Sequence, residues 1–169
     1  MIKENFFIGT NEAKSLKTDI FITQTLNKNE TIRLFKIKSK LVDIKSIEEL
    51  KVAHGDIINL ANEYKAKAIS NSSQIDLIKK LLPILKPKLT LKDKIFNRFI
   101  RHKASLKLMN INLPNSKNTL DIKNLSNQLV KTLKMKINLV RAYNLSHAYL
   151  CETAEKIHQI LNPQQTFKL

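Results

Sequence analysis

The stretch TLDIKNLSNQLVKTLKMKINLVRAYNLSHAYLCETAEKIHQIL (119–161) contains neither proline nor glycine. Leu129, Leu133, Lys136, Val140, Tyr143, His147, Leu150, Ala154, Ile157 and Leu161 follow one another at alternating spacings of 4 and 3. That spacing puts them on one face of an α-helix, as a coiled-coil-like seam. Unbroken, such a helix would run ~60 Å at its usual rise. Asn162-Pro163 supplies the stop. Composition turns polar over Arg141–Ser146, which is where a break would fall.

Working back from this helix, the chain keeps a helical pattern to about residue 46. Ser46 and Glu49 have the spacing of a capping box. Leu50, His54, Ile57, Ala61, Tyr64 and Ala68 then form an apolar stripe. SNSS (70–73) reads as a loop, with a second helix opening at Ser73 and carrying Ile75, Ile78, Leu82 and Leu85 on one side. Pro83 lacks an amide donor and should stop or kink that helix near Leu82. Thr90 and Asp93 form another capping-box pair ahead of LKDKIFNRFIRHKASLKLM (91–109), and NINLPNSKN (110–118) has the composition of a loop.

The first 45 residues look different. DIFITQTL (19–26) and TIRLFKIK (31–38) are rich in Ile, Phe and Thr and are separated by NKNE, so they read as a β-hairpin, with NFFI (5–8) as a third strand. A helical reading competes, because Leu34, Ile37, Leu41 and Ile44 recur at 3, 4 and 3. The expected fold is therefore mainly α, formally α+β. It is a bundle of four to five helices with a long C-terminal helix and a small N-terminal hairpin, in a single domain of 1–169 (hairpin region 1–45, helices 46–169).

Composition removes several function classes. The two glycines, Gly9 and Gly55, leave no phosphate-cradling loop, and the single cysteine leaves no disulfide framework and no Cys-rich zinc module. The N-terminus has no sustained apolar h-region, and no run approaches the ~18 apolar residues of a membrane span. The expected location is cytoplasmic, with delivery to another cell by a signal-peptide-independent route as a further option.

The formal net charge is +16, from 30 basic and 14 acidic residues. It is uneven: residues 1–62 carry net +2, 63–110 net +9, and 111–169 net +5. Such a field draws phosphate, whether of nucleic acid or of lipid headgroups, and acidic protein surfaces. Yet 26 of the 30 cations are lysines, beside 17 asparagines and 21 isoleucines, a profile that A+T-rich coding also produces. Lysine is a point charge, whereas base-edge and bidentate phosphate recognition favours arginine.

The densest run, KPKLTLKDKIFNRFIRHKASLK (86–107), holds eight cations and one acid. On a helical wheel Leu91, Ile95, Phe96, Phe99, Ile100 and Leu106 take about half the circle, and Lys94, Arg98 and Arg101 gather opposite. The bland reading is one helix of the bundle, apolar side inward. The functional reading is a partner-binding face formed by Lys79, Lys80, Lys86, Lys88, Lys92, Lys94, Arg98, Arg101, Lys103 and Lys107. Its partner would be an acidic protein or anionic lipid headgroups, with nucleic-acid phosphates as the alternative. Helix–turn–helix spacing is spoiled by Pro83 and Pro87, so sequence-specific DNA reading ranks low.

Chemistry-bearing residues concentrate in HAYLCETAEKIHQ (147–159). At about 100° per residue, His158, Cys151 and Glu155 fall within about 80° of His147. The two histidines are nevertheless about 16 Å apart along the axis, too far for one ion. Glu155 and His158 make one E-x-x-H half-motif, and no other histidine repeats it, so no metal site and no cofactor are expected. His147 sits mid-seam and reads as a core histidine bonded to Tyr64 or Tyr143, and Cys151 as a small buried hydrophobe.

RAYNLSH (141–147) is similar to the R-x5-H nuclease motif of the HEPN family of helical ribonucleases. The likeness covers these seven residues. It implies an Arg141 that steadies the scissile phosphate and a His147 that acts as acid and base. In an unbroken helix the two point about 120° apart and would not act together. The leading expectation is thus a non-enzymatic interaction protein of the adaptor, chaperone or secreted bacterial effector type.

Overall fold

A computed structural model describes residues 12–85, 99–111 and 119–163. Among them the elements are α1 (Glu12–Thr25), α2 (Lys28–Val42), α3 (Ile47–Leu81), a 3₁₀ turn (Leu82–Leu85), α4 (Lys103–Leu108) and α5 (Thr119–Leu161). Residues 99–101 are helical as well. No β-strand occurs among the described residues, and the protein is mainly helical.

The chain forms two compact units. The first joins residues 1–68 to 141–169, and the second holds 69–140. Their boundaries fall within α3 and α5.

In the first unit, both segments expected as strands are helical: 19–25 belongs to α1 and 31–38 to α2. NFFI (5–8) lies outside the described residues. β-propensity is weak and context-dependent, and two local facts override it. Asn27 is the N-cap of α2: its side chain accepts from the Glu30 amide at 2.9 Å, and Glu30 Oε2 accepts from the Asn27 amide at 3.3 Å. NKNE is thus a capping box, which starts a helix rather than turning a hairpin. The competing stripe then takes effect. Leu34 and Leu41 are buried, Ile37 and Ile44 half-buried, and Ile22 and Leu26 of α1 are buried in the same unit. Lys38 reaches back to Asp19 at 3.1 Å, tying α2 to α1.

α3 brings the expected stripe inside: Leu50, Ile57, Ala61, Tyr64 and Ala68 are buried, and His54 is half-buried. Its start is capped as anticipated on one side only. Ser46 Oγ accepts from the Glu49 amide at 3.1 Å, while the Glu49 carboxylate accepts from the Lys45 amide, one residue further back than a capping box requires. From the α5 side, Tyr143, Leu150, Ala154 and Ile157 are buried against this unit's core.

In the second unit SNSS (70–73) is not a loop; α3 continues through it. The 4–3 alternation holds its phase from Ala68 through Asn71 to Ile75 and Ile78, so one stripe spans both segments. Ser73 donates to the Ile69 carbonyl at 3.2 Å, the four-residue back-bond by which a helical serine satisfies its hydroxyl. Asn71 occupies a seam position and accepts from Lys136 Nζ at 2.9 Å. Lys136 is the polar member of the α5 seam, and burial holds its ammonium below the usual lysine range. Two polar seam residues therefore satisfy each other. Pro83 ends α3 at Leu81, as expected.

The core of this unit is Ile78, Leu81, Leu85, Phe99, Leu106, Met109, Ile111, Leu125 and Leu129. α4 ends in a Schellman motif. The Ile111 amide donates to the Leu106 carbonyl at 2.9 Å and the Asn110 amide to the Lys107 carbonyl at 3.0 Å, with Asn110 left-handed at φ 56°. Leu106 and Ile111 are both buried beside it. Asn110→Val should cost about 1–2 kcal/mol, because a β-branched residue resists that backbone. Asn110→Gly should be neutral or slightly stabilising, and urea unfolding of both variants checks the pair.

Candidate partner-binding surface and the buried polar site

Of the ten cations expected to meet a partner, Lys79, Lys80, Arg101, Lys103 and Lys107 are described, and all are exposed in the second unit. Lys86, Lys88, Lys92, Lys94 and Arg98 lie outside the described residues. Phe99 and Leu106 are buried, which is the inward half of the amphipathic pattern. Lys123, Lys131 and Lys134 of α5 are exposed in the same unit and add to the set. They form no run in the sequence, being scattered along α5.

The division of the chain sharpens the charge asymmetry. The second unit contains 15 Lys/Arg and 3 Asp/Glu, net +12 over 72 residues; the first contains 15 and 11, net +4 over 97. The ion pairs among the described residues fall in the first unit: Arg33–Glu63, Lys38–Asp19, Lys40–Asp56, Lys67 with Glu30 and Glu63, and Lys156–Glu152. Among the described residues much of the first unit's charge is paired internally, whereas the cations of the second unit carry no ion pair and, Lys136 apart, are exposed.

The HAYLCETAEKIHQ lane divides among separate contacts. His147 is half-buried, and its Nδ1 donates to the Ala61 carbonyl at 3.0 Å. The partner is therefore a backbone carbonyl of α3, not Tyr64 or Tyr143. Because a carbonyl only accepts, the proton sits on Nδ1. Cys151 is exposed, not buried, with Sγ 3.6 Å from the His147 ring nitrogens. His158 is exposed and stacks on His54 with ring centroids 6.1 Å apart. Among the described residues no group of three or more His, Cys, Asp or Glu is placed to hold a metal ion. α5 runs unbroken through 141–147, and the guanidinium of Arg141 lies 5.0 Å over the Phe21 ring. Arg141 and His147 are thus engaged by different elements and are not brought together.

The most interconnected polar site was not foreseen. Glu30, 5% exposed, sits on the inward stripe of α2 one turn before Leu34. Its carboxylate accepts from Lys67 Nζ at 2.7 Å, from the Tyr143 hydroxyl at 2.8 Å and from the Asn27 amide. Its carbonyl accepts from the Tyr64 hydroxyl at 2.9 Å. Lys67 also pairs with Glu63 at 2.7 Å, and Glu63 with Arg33 at 2.8 Å. The two tyrosine rings are 5.6 Å apart. The site joins α2, α3 and α5 within the first unit.

Burial pushes the Tyr64 phenol up to about 12, with the Glu30 charge adding to it. Burial, then the hydrogen bond to Glu30, raises Tyr143 as well. Burial works against the Lys67 ammonium, but the Glu30 and Glu63 carboxylates more than offset it, and its pKa is raised. These groups therefore stay neutral (the phenols) or charged (Lys67) throughout the neutral range, which suits a structural staple and not proton transfer. The pH consequence has a definite sign. A phenol with a raised folded-state pKa contributes its stability fully below the unfolded value near ~10 and loses it as pH rises through the folded one. Lys67 acts in the same direction. Unfolding by urea should show stability level on the alkaline side up to about pH 10 and falling from there toward about pH 12; Tyr64→Phe should flatten part of the fall.

No family model, no curated protein and no solved structure matches this chain, so its own residues carry the functional reading.

Proposed function

We propose that the protein is a non-enzymatic helical interaction protein, of adaptor, chaperone or effector type, which holds an acidic protein or anionic lipid surface through the cationic second unit. One observation carries this reading: net +12 collects in a unit whose exposed lysines have no carboxylate partners among the described residues, while the ion pairs sit in the other unit. Leaving so many like charges together costs self-repulsion. An anionic surface relieves that repulsion and gains attraction at once.

The arrangement of Arg141 and His147 supports no catalytic role for the pair, since each is held by a different neighbour. Nucleic-acid phosphates would engage the same lysines, and they are the competing outcome of the test.

Binding of the full chain to vesicles containing phosphatidylserine, to polyglutamate and to single-stranded RNA should be measured at low and at high salt. Exposed charges are screened beyond about 8 Å at physiological ionic strength, so affinity for the true partner class should drop steeply with salt. A salt-independent response with all three would remove the reading. Preference for RNA would transfer it to nucleic acid.

A further inference from the structure

We infer that the second unit binds the surface of an anionic lipid bilayer, with Leu108 entering between the headgroups and Arg101, Lys103 and Lys107 resting on their phosphates. The inference rests on the anionic-surface function proposed above and selects one partner from it.

α4 is fixed in orientation. Leu106 points into the core, and Phe99, Met109 and Ile111 on either side are buried with it. The Schellman closure at Asn110 locks the end of the helix. At about 100° per residue Leu108 then lies on the side of α4 away from Leu106, next to Ala104, with Lys103 and Lys107 along one flank. Leu108 is 81% exposed, the highest value among the exposed large hydrophobic residues described, and Ile100 is 48% exposed. A rigidly held leucine in water gains nothing there from burial. A bilayer interface offers it an apolar destination at the depth where lysine ammonium groups reach phosphate.

Charge complementarity points the same way. From residue 94 to 120 the sequence has six cations and no acid, so no carboxylate is repelled by an anionic leaflet. Nucleic acid fits less well. The second unit has only two arginines, and its described aromatic residue, Phe99, is buried and cannot stack a base. No helix among the described residues is long and apolar enough to cross a membrane, so the attachment is peripheral.

The chain contains no tryptophan, so Leu108→Trp introduces a single reporter. Its emission should shift to the blue on vesicles of phosphatidylcholine with phosphatidylserine, and stay unshifted on phosphatidylcholine alone, RNA or polyglutamate. In flotation, Leu108→Asn should weaken binding to the phosphatidylserine vesicles about tenfold, the scale of one leucine leaving an apolar site. Neither substitution touches the core. Binding to RNA or polyglutamate with an unshifted reporter and an inert Leu108→Asn overturns the lipid assignment and leaves the anionic-surface function standing. Failure to bind any of the anions overturns both.

Discussion

Glu30→Ala is expected to remove about 3 kcal/mol of stability, the low end for breaking a buried charge pair, because Glu30 is buried but Lys67 is half-exposed. Three groups lose a partner together. The Asn27 amide at the start of α2 loses the second half of its capping box, Tyr143 loses the acceptor of its buried hydroxyl, and Lys67 loses the more buried of its two carboxylate partners. Lys67 keeps Glu63, which limits the damage. An unpaired buried hydroxyl alone costs about 1–3 kcal/mol. Glu30→Gln retains an acceptor for Tyr143 and should lose about half as much. Tyr143→Phe combined with Glu30→Ala should cost less than the two separately, because Tyr143→Phe removes the hydroxyl that Glu30→Ala strands. Urea unfolding of the four chains supplies the cycle. A loss under about 1 kcal/mol for Glu30→Ala, within the range of an exposed ion pair, would show that the site does not staple the three helices.

The second large effect concerns binding. Reversing Arg101, Lys103 and Lys107 to glutamate should weaken association with anionic vesicles at low salt by about a hundredfold or more, since each basic residue near such a surface is worth about 1 kcal/mol. Reversing Lys36, Lys51 and Lys65 changes the net charge equally, and these residues are exposed in the first unit. That triple should lose less than about threefold, through the longer-range field alone. Both triples should bind alike at high salt. Equal losses would mean that total charge, rather than its collection in one unit, governs binding, and the proposed surface would have no standing.

How far these expectations were readable in the chain differs by residue. The α5 seam was legible because ten positions keep phase over 33 residues, Leu129 to Leu161, and none of the ten is exposed. The stop at Pro83 was legible because a missing amide acts locally. The 19–38 region was misread although its signals were present. NKNE has the spacing of a capping box, and Glu30 precedes Leu34 on the same stripe, but a charged residue on an apolar face argues against itself until its partners are known. Those partners, Lys67 and Tyr143, are 37 and 113 residues away. SNSS failed for a related reason: four polar residues look like a loop unless the phase of the stripe is followed across them. Cys151 failed because a position at the edge of a seam is buried or open depending on the neighbouring helix.

By itself the sequence determined the helical periods, their stops, the excess of lysine and the absence of phosphate loops and cysteine frameworks. All of these depend on residues within a few turns of one another or on simple counts. Only the tertiary structure decided that Ile- and Thr-rich segments become helices, that a glutamate is stapled between two tyrosines and a lysine, and that the ion pairs among the described residues fall in one unit while the larger net charge falls in the other. Those outcomes depend on which distant side chains share a low-dielectric interior or a common surface, and neither spacing nor composition encodes that.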